Sequence, residues 1–187
     1  MPELESGSPF DVVDRAERRW AYWVTGIIAF VLALIIFASA HWAAQPPSNV
    51  ETIDASRLHL AGEFMEANLG TAIERDGSAT VRMLAQQYSF VPSCIVVPAG
   101  TSVVFRVTSP DVVHGLLIAG TNVNTMVVPG FVAVVRTRFE RPGNYAMPCH
   151  EYCSVGHEGM WARVMVVGQP EFARAYGGQS RASCVSH

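Results

Sequence analysis

The segment from Cys149 to Met160 gathers the side chains of this chain that are best suited to holding a metal ion. It reads Cys-His-Glu-Tyr-Cys-Ser-Val-Gly-His-Glu-Gly-Met, so two cysteines, His157 and a methionine share one short stretch. Thiolate, thioether and imidazole ligands suit copper, whereas a magnesium or calcium site would use oxygen ligands. A site for a single electron-transferring copper uses one cysteine. The second cysteine therefore predicts a site in which two thiolates bridge two copper ions.

A second histidine ligand is expected, and His114 is the candidate. It follows Asp111-Val112-Val113 at the start of a predicted strand, beyond a Ser-Pro turn. One end of a β-sandwich can bring such a residue beside the loop that contains Cys149. Zinc is the alternative metal, because two cysteines and two histidines bind it tetrahedrally. Zinc has no need of a methionine, so Met160 favours copper.

Short β-prone runs separated by turn residues occupy the chain from Thr80 onward. Their number and spacing predict an all-β antiparallel sandwich or Greek-key barrel of about 90 residues. Between the last two runs, Gly156 and Gly159 would each cost a helix about 1 kcal/mol relative to alanine, so the cysteine-rich segment is predicted to be a loop. The predicted strands are Thr80–Tyr88, Cys94–Val97, Ser102–Thr108, Gly115–Ala119, Phe131–Glu140, Asn144–Met147 and Trp161–Val167.

The run from Ala21 to Ala40 carries no formal charge and is long enough to cross a hydrocarbon layer of about 30 Å. Arginines precede it, and no basic residue follows it before Arg57. This asymmetry predicts a cytoplasmic N-terminus and an exported C-terminal domain. A signal peptide cleaved after Ala38-Ser39-Ala40 is the alternative, although its apolar region would be unusually long. The flanking residues are Arg15, Arg18 and Arg19 before the run and Tyr22, Trp23 and Trp42 at its two ends.

Two further segments complete the predicted organisation. Gln45-Pro46-Pro47-Ser48-Asn49 ends the membrane helix, because consecutive prolines cannot continue it. Ala55–Leu69 has a weak helical period that Gly70 closes. The predicted parts are a leader (1–19), a membrane helix (20–42), a connector (43–79), a β domain (80–168) and a C-terminal tail (169–187).

The basic residues argue against a nucleic-acid partner. All 13 are arginine, none is lysine, and the net charge is -3, so a polybasic nucleic-acid-binding tail is absent from the sequence.

Four cysteines in an exported domain would ordinarily form two disulfides. Cys149 and Cys153 are instead expected to bind metal. Cys94 and Cys184 are each expected to be an unpaired thiol.

The pattern Cys-x-Glu-x-Cys-x-x-x-His-x-x-Met, with Asp-x-x-His upstream, resembles subunit II of the haem-copper cytochrome c oxidases. The resemblance covers the membrane helix and nearly all of residues 80–168. It is closest to the B-type branch, whose subunit II is short and has one membrane helix. The stretches that resemble that branch are Asp111-Val112-Val113-His114-Gly115, Gly120-Thr121-Asn122-Val123-Asn124 and Arg141-Pro142-Gly143.

The resemblance implies a cupredoxin-like fold and the binuclear copper centre called CuA. Cys149 and Cys153 would bridge the two coppers. His114 and Met160 would complete one copper, and His157 with the main-chain carbonyl of Glu151 would complete the other. In A-type relatives this glutamate side chain also reaches magnesium at the interface with subunit I. B-type relatives can have glutamine there, so the resemblance leaves magnesium at Glu151 open.

The resemblance also implies the partners and three further site residues. By this resemblance, the chain would be a protein of a bacterial-type cell membrane. Its CuA centre would lie on the outer, periplasmic side and would take electrons from cytochrome c. It passes them to haem in subunit I for the reduction of oxygen to water. Tyr88 and Phe90 match the aromatic positions at the electron input, and Glu17 matches a glutamate at the mouth of the proton path. Exposed His150 and Glu158 are candidates for tuning the potential, or else solvated loop residues.

Two other functions remain open at this point. A membrane-anchored copper chaperone would also use a pair of cysteines, but chaperones usually draw their histidine from far along the chain and bind one copper. Another CuA electron carrier, such as the copper domain of a nitrous oxide reductase, would need a propeller domain that 187 residues cannot hold.

Overall fold

A computed structural model of the chain describes residues 9–41, 51–60 and 62–184. The chain divides into two units, Met1–Asn49 and Val50–His187. The first unit contains helix α1, Pro9–His41. Its stretch Val13–Ser39 is long and apolar enough to cross a membrane, with a mean hydropathy of 2.4 in its most apolar 18-residue window. The predicted membrane helix is therefore present. Trp42 and the segment 45–49 that was expected to end the helix lie outside the described residues.

The second unit is built from short strands and one short helix. Its two larger sheets enclose a core that is made mostly of inward-facing valine and phenylalanine side chains, such as Val81, Phe105 and Val164. The elements are β1 (Gly70–Ile73), β2 (Ala79–Gln86), β3 (Ser89–Val91), β4 (Cys94–Pro98), β5 (Ser102–Thr108), β6 (His114–Leu117), β7 (Asn124–Val127), β8 (Ala133–Arg138), β9 (Gly143–Pro148), β10 (Trp161–Val167) and α2 (Gln169–Tyr176).

The strands form three sheets. One has the order β1-β2-β5-β8 with β3 also paired to β2, another has the order β4-β10-β9, and β6 pairs with β7. The all-β sandwich predicted from the sequence is confirmed. Two of its pairings differ from the antiparallel arrangement expected, because β2 with β5 and β4 with β10 run parallel. Neither parallel pair is joined by a hairpin, since intervening strands carry the chain across to the other sheet.

Several segments differ from the sequence-based expectation. The described residues of the connector Ala55–Leu69 do not form an α-helix but contain two short 3-10 turns, Ala55–Arg57 and Glu66–Asn68. It packs on the sheet, because its buried Leu58 and Phe64 form a cluster with Leu84 from β2. The strands β1, β3 and β7 and the helix α2 were not predicted. Each is short, with three residues in β3, four in β1 and in β7, and eight in α2.

Cys94 and Cys184 form a disulfide, so the expectation of two unpaired thiols was wrong. The C-terminal segment runs back along the domain, where Thr71 and Ala182 exchange backbone hydrogen bonds of 2.8 and 2.7 Å. The Cys184 N–H then donates to the Cys94 carbonyl over 3.2 Å. This path brings together two cysteines that are 90 residues apart in the sequence.

Candidate metal centre

The cysteine-rich segment is a loop whose two ends are held by neighbouring strands. It leaves β9 at Pro148 and enters β10 at Trp161, and these two residues are paired across the sheet. The Cys149 N–H donates to the Met160 carbonyl over 3.0 Å, which closes the loop at its base. Its only regular element is the 3-10 turn His157–Gly159, so the predicted loop is confirmed.

The loop brings sulfur and nitrogen atoms together inside the protein. Cys153 Sγ lies 3.6 Å from His157 Nδ1 and 3.8 Å from Met160 Sδ. Cys149 Sγ lies 3.3 Å from the Glu151 carbonyl oxygen. Every side chain expected to bind copper within the loop is thus near one of the two thiols, and Glu151 approaches through its main chain.

His114 completes this cluster from outside the loop. It begins β6, as predicted, and its Nδ1 lies 3.9 Å from Cys149 Sγ. Potential ligand atoms of His114, Cys149 and Cys153 all lie within 4.8 Å of one another. Both cysteines are unpaired and buried, and the His114 and Met160 side chains are completely buried. Four soft or imidazole donors therefore face one small, dry region.

The sequence reasoning missed the groups that hold these ligands. Asp111 Oδ1 is 2.8 Å from His114 Nε2, so the other ring nitrogen is left to face the thiol. Asp111 Oδ2 accepts a hydrogen bond of 2.7 Å from the Gln87 N–H, and Gln87 Nε2 donates to the Cys153 carbonyl over 2.7 Å. Gln87 thus connects the His114 support to the cysteine loop. The Asp-x-x-His spacing was a signal for Asp111, but nothing local pointed to Gln87.

Burial also sets the protonation of the site. Desolvation, reinforced by the negative charge of neighbouring Cys149, raises the pKa of the Cys153 thiol to about 11. Burial alone would raise the pKa of Asp111, but hydrogen bonds from Gln87, His114, Val112 and Ser109 outweigh it and hold that pKa below its usual value. A metal ion that binds here must therefore displace thiol protons, which is the ordinary requirement of a thiolate site.

Two backbone positions in and beside the loop are restricted, one in its conformation and the other in the space around it. Ser154 has a φ of 114°, a conformation that non-glycine residues rarely adopt and that costs about 1–3 kcal/mol. A Cβ atom at Gly115 would lie 2.6 Å from His150 Cε1 and 2.8 Å from the Glu151 nitrogen. The Gly115 N–H also faces Cys149 Sγ at 3.5 Å. His150 is exposed as expected, but its ring rests on Gly115 rather than extending freely into solvent.

The other predicted site residues lie in different surroundings. Tyr88 is 42% exposed. Its ring lies against Gly156 of the metal loop, so that a Cβ atom added to Gly156 would be 3.4 Å from the ring. Phe90 is only 1% exposed and packs in the core, so its ring is not accessible to a partner protein. Glu17 is an exposed residue of α1, in the other structural unit. Glu158 is exposed, and its carbonyl accepts a hydrogen bond of 2.8 Å from Trp161 Nε1.

Exposed apolar side chains that were not predicted surround the loop. Tyr152, Val155 and Trp161 are 76%, 81% and 59% exposed. The Tyr152 ring contacts the His157 ring edge to face, with centroids 5.9 Å apart. Together with Tyr88, these residues form what we call the apolar rim, a hydrophobic surface directly outside the sulfur cluster. Exposed apolar residues grouped in this way are typical of protein interaction sites.

The donor set fits copper. Two thiols, a thioether and two imidazoles suit copper, whereas magnesium and calcium prefer oxygen ligands. Oxygen is contributed within the cluster by a neutral carbonyl, that of Glu151. The Glu151 carboxylate is separate and exposed, with Oε1 3.7 Å from His150 Nδ1.

Comparisons with known proteins place the chain among its relatives. A family model for cytochrome c oxidase subunit II, periplasmic domain, matches residues 75–167. A cytochrome c oxidase subunit 2 of Thermus thermophilus is 34% identical over 152 residues, which cover 80% of this chain and 90% of that protein. Heme-copper oxidase subunit 2 of Aeropyrum pernix is 37% identical over 84 residues, 44% of this chain and 36% of that one.

A solved structure is similar as well. One chain from the cryo-EM structure of a heme-copper terminal oxidase dimer superimposes with a TM-score of 0.55 at 30% identity. The match covers 81% of this chain and 99% of that one. The similarity therefore extends beyond the residues that the family model matches.

Proposed function

This chain belongs to the cytochrome c oxidase subunit II family, and from that premise we propose that its β domain holds a binuclear copper centre that relays electrons into the oxidase. As a subunit II, the chain is part of an oxidoreductase complex and has other oxidase subunits as partners. The observation that carries the proposal is the pair of buried, unpaired thiols of Cys149 and Cys153 in one loop. A single copper ion needs only one of them.

The proposed division of the ligands between the two ions is the one that the family resemblance implies. Cys149 and Cys153 would hold both ions, His114 and Met160 would complete one, and His157 with the Glu151 carbonyl would complete the other. When bound, the copper pair supplies a one-electron acceptor whose charge is shared over both metals. The chain keeps the ligands in place, since β9 and β10 hold the loop ends and Asp111 holds His114. A fixed ligand set needs little rearrangement when an electron arrives or leaves.

The apolar rim is the proposed docking surface for cytochrome c. Residues 43–187 contain 10 arginines and 11 acidic residues, so no strong net charge favours a basic or acidic donor. Apolar contact is then the main source of affinity, and charge contributes less to it. We place the electron input at Tyr88, next to Gly156, and not at the buried Phe90.

The remaining proposals concern the membrane and subunit I. Arginines that precede the apolar run of α1 favour a cytoplasmic N-terminus, with the copper domain on the outer side of the cell membrane. Subunit I, which carries the haem, is the proposed electron acceptor. Glu17 is the proposed proton uptake residue at the cytoplasmic end of the helix. Magnesium at the exposed Glu151 carboxylate would need further ligands from another subunit.

Copper loading of the full-length chain in detergent tests the central proposal. We expect two coppers per chain, a purple colour and an electron paramagnetic resonance signal of one electron shared by two coppers. A colourless chain that retains one zinc ion would show a structural zinc site instead. A chain that holds one Cu(I) and gives it up readily to a chelator would be a copper chaperone.

Ligand variants sharpen this test. Cys149→Ser or Cys153→Ser should abolish the shared-electron signal, because a single thiolate cannot bridge the ions in the same way. Met160→Leu should keep two coppers but change the reduction potential. Met126→Leu is the matched control, since Met126 is exposed on β7 and should leave the spectrum unchanged. A normal two-copper spectrum in Cys153→Ser would overturn the bridging assignment.

A further inference from the structure

A polar cleft of about 560 Å³ lies on the outer face of the β1-β2-β5-β8 sheet. It is formed by residues of four parts of the chain, the connector, β2, β5 and the C-terminal segment, and contains none of the proposed copper ligands. Three arginines and one carboxylate dominate its lining. The lining side chains are those of Glu63, Asn68, Thr80, Arg82, Arg106 and Arg181.

Strand register places two of these arginines side by side. Arg82 on β2 and Arg106 on β5 are direct partners in the parallel pair. Their sequence neighbours Val81 and Phe105 face the core, so the arginines face outward, because successive side chains alternate between the faces of a strand. The third, Arg181, comes from the C-terminal segment that the Cys94–Cys184 disulfide and the Ala182 backbone hydrogen bonds hold in place.

Arg181 is partnered differently from the other two arginines of the cleft. Glu63 forms ion pairs with two arginines. Its Oε1 lies 2.9 Å from Arg82 Nε, and its Oε2 lies 2.6 Å from Arg106 Nη2. Among the described residues, Arg181 donates only to neutral carbonyls, those of Asn68 and Ser180, at 3.2 and 2.7 Å. Its guanidinium group therefore has no carboxylate partner among those residues.

Two more glutamates lie near the cleft but do not line it. Glu51 pairs with Arg106 at 2.6 Å and offsets part of its charge, although the Glu51 side chain is 48% exposed. Glu74 Oε1 is 3.9 Å from Arg82 Nη1, which is too far for a hydrogen bond. Arg82 Nη1 is buried and has no hydrogen-bond acceptor among the described residues. The cleft therefore has a spare donor at Arg82 and, among the described residues, a guanidinium group without a carboxylate at Arg181.

We propose that this cleft is an anion site for a phosphoryl group. A phosphoryl group carries negative charge on strong acceptor oxygens, which suit the Arg181 guanidinium group and the unsatisfied Nη1 of Arg82. Guanidinium groups bind phosphate oxygens in a bidentate manner, and three of them surround the cleft. A lipid headgroup and a soluble phosphate ester share this chemistry, so the experiment has one arm for each.

The soluble arm uses inorganic pyrophosphate and the full-length chain in detergent. We expect pyrophosphate to raise the melting temperature of the β domain in a saturable manner, while sodium chloride at equal ionic strength does not. Arg181→Gln should weaken the apparent affinity at least about tenfold, because it removes a charge-assisted contact without disturbing Glu63. Arg174→Gln is the matched control, since Arg174 is exposed on α2 and does not line the cleft.

The lipid arm does not depend on the stability of a variant. The wild-type chain is placed in nanodiscs of phosphatidylcholine with or without phosphatidylglycerol, and modification of Arg181 by phenylglyoxal is followed by mass spectrometry. Protection by phosphatidylglycerol alone identifies a lipid headgroup, and protection by pyrophosphate alone identifies a soluble ester. If neither protects Arg181 more than Arg174, or if pyrophosphate acts equally on Arg181→Gln, the proposal is wrong.

Discussion

Asp111 Oδ1 lies 2.8 Å from Nε2 of the completely buried His114, so the Nδ1 atom of this ring is the one that faces Cys149 Sγ. A carboxylate in this position fixes both the ring orientation and the tautomer of a metal-binding histidine. Asp111 is itself held by the Gln87 N–H. The position of one proposed ligand thus depends on a residue that binds no metal.

We expect Asp111→Asn to weaken copper binding about 10–100-fold, the usual effect of removing a group that orients a ligand. Competition with a Cu(I) chelator measures the affinity, and the absorption spectrum reports the ligand geometry. Asp76→Asn is the control, because Asp76 supports only a surface turn through Ser78. Unchanged affinity and spectrum in Asp111→Asn would show that the protein core alone orients His114.

Most of the proposed copper ligands could be predicted from the sequence, whereas the residues that hold them in place could not. Cys149, Cys153 and Met160 share one loop, so their grouping is visible as spacing in the sequence. Gln87 reaches the loop from the end of β2, and only the folded sheet brings it there. The same reasoning applies to Cys94 and Cys184, whose proximity comes from the returning C-terminal segment.

The strands show the same contrast between elements that can be recognised from their own residues and elements that depend on their pairing partners. Ala79–Gln86 is rich in β-prone residues and contributes buried side chains to the core, so it was predicted as a strand within two residues at either end. Gly70–Ile73 has only four residues and is stabilised by pairing with β2 and with Ala182. Its sequence contains no alternation that would reveal it.

We expect Gly115→Ala to displace the metal loop. The added methyl would approach the His150 ring and the Glu151 backbone more closely than real side chains allow, and overpacking of this kind costs about 1–3 kcal/mol. The copper spectrum should change together with the melting temperature of the copper-free chain. Gly178→Ala is the control, since a Cβ there meets nothing within 4 Å. A wild-type spectrum in Gly115→Ala would mean that the loop adjusts at no cost to the ligands.

Removal of the Cys94–Cys184 disulfide should destabilise the domain without affecting the copper ligands. The double variant Cys94→Ala/Cys184→Ala frees the C-terminal segment that packs on Val96 and Val167. Loss of a native disulfide typically costs about 2–5 kcal/mol, so we expect a clearly lower melting temperature. Two coppers and an unchanged spectrum should remain at temperatures where the variant is folded. A lost shared-electron signal in the folded variant would contradict this separation of roles.

Glu63 should make the stability of the β domain depend on pH. Burial alone would raise the pKa of Glu63, but the hydrogen bonds and charges of Arg106 and Arg82 outweigh it and hold the pKa below its ordinary value of 4.5. The hydrogen bond with Glu63 in turn raises the pKa of Arg106, so that guanidinium stays charged. A carboxyl whose pKa is lower in the folded state stabilises the fold above its unfolded pKa, and this contribution is lost as the pH falls through the folded pKa.

We therefore expect Glu63→Gln to lower the denaturation midpoint at pH 7, with a difference from wild type that shrinks steadily as the pH falls below about 4.5. Urea titrations of the full-length chain in detergent at several pH values measure this difference. Glu66→Gln, an exposed neighbour in the same segment, should follow the wild-type curve at every pH. A constant difference between Glu63→Gln and wild type across this range would show that packing of the side chain, and not its charge between Arg82 and Arg106, stabilises the connector on the sheet.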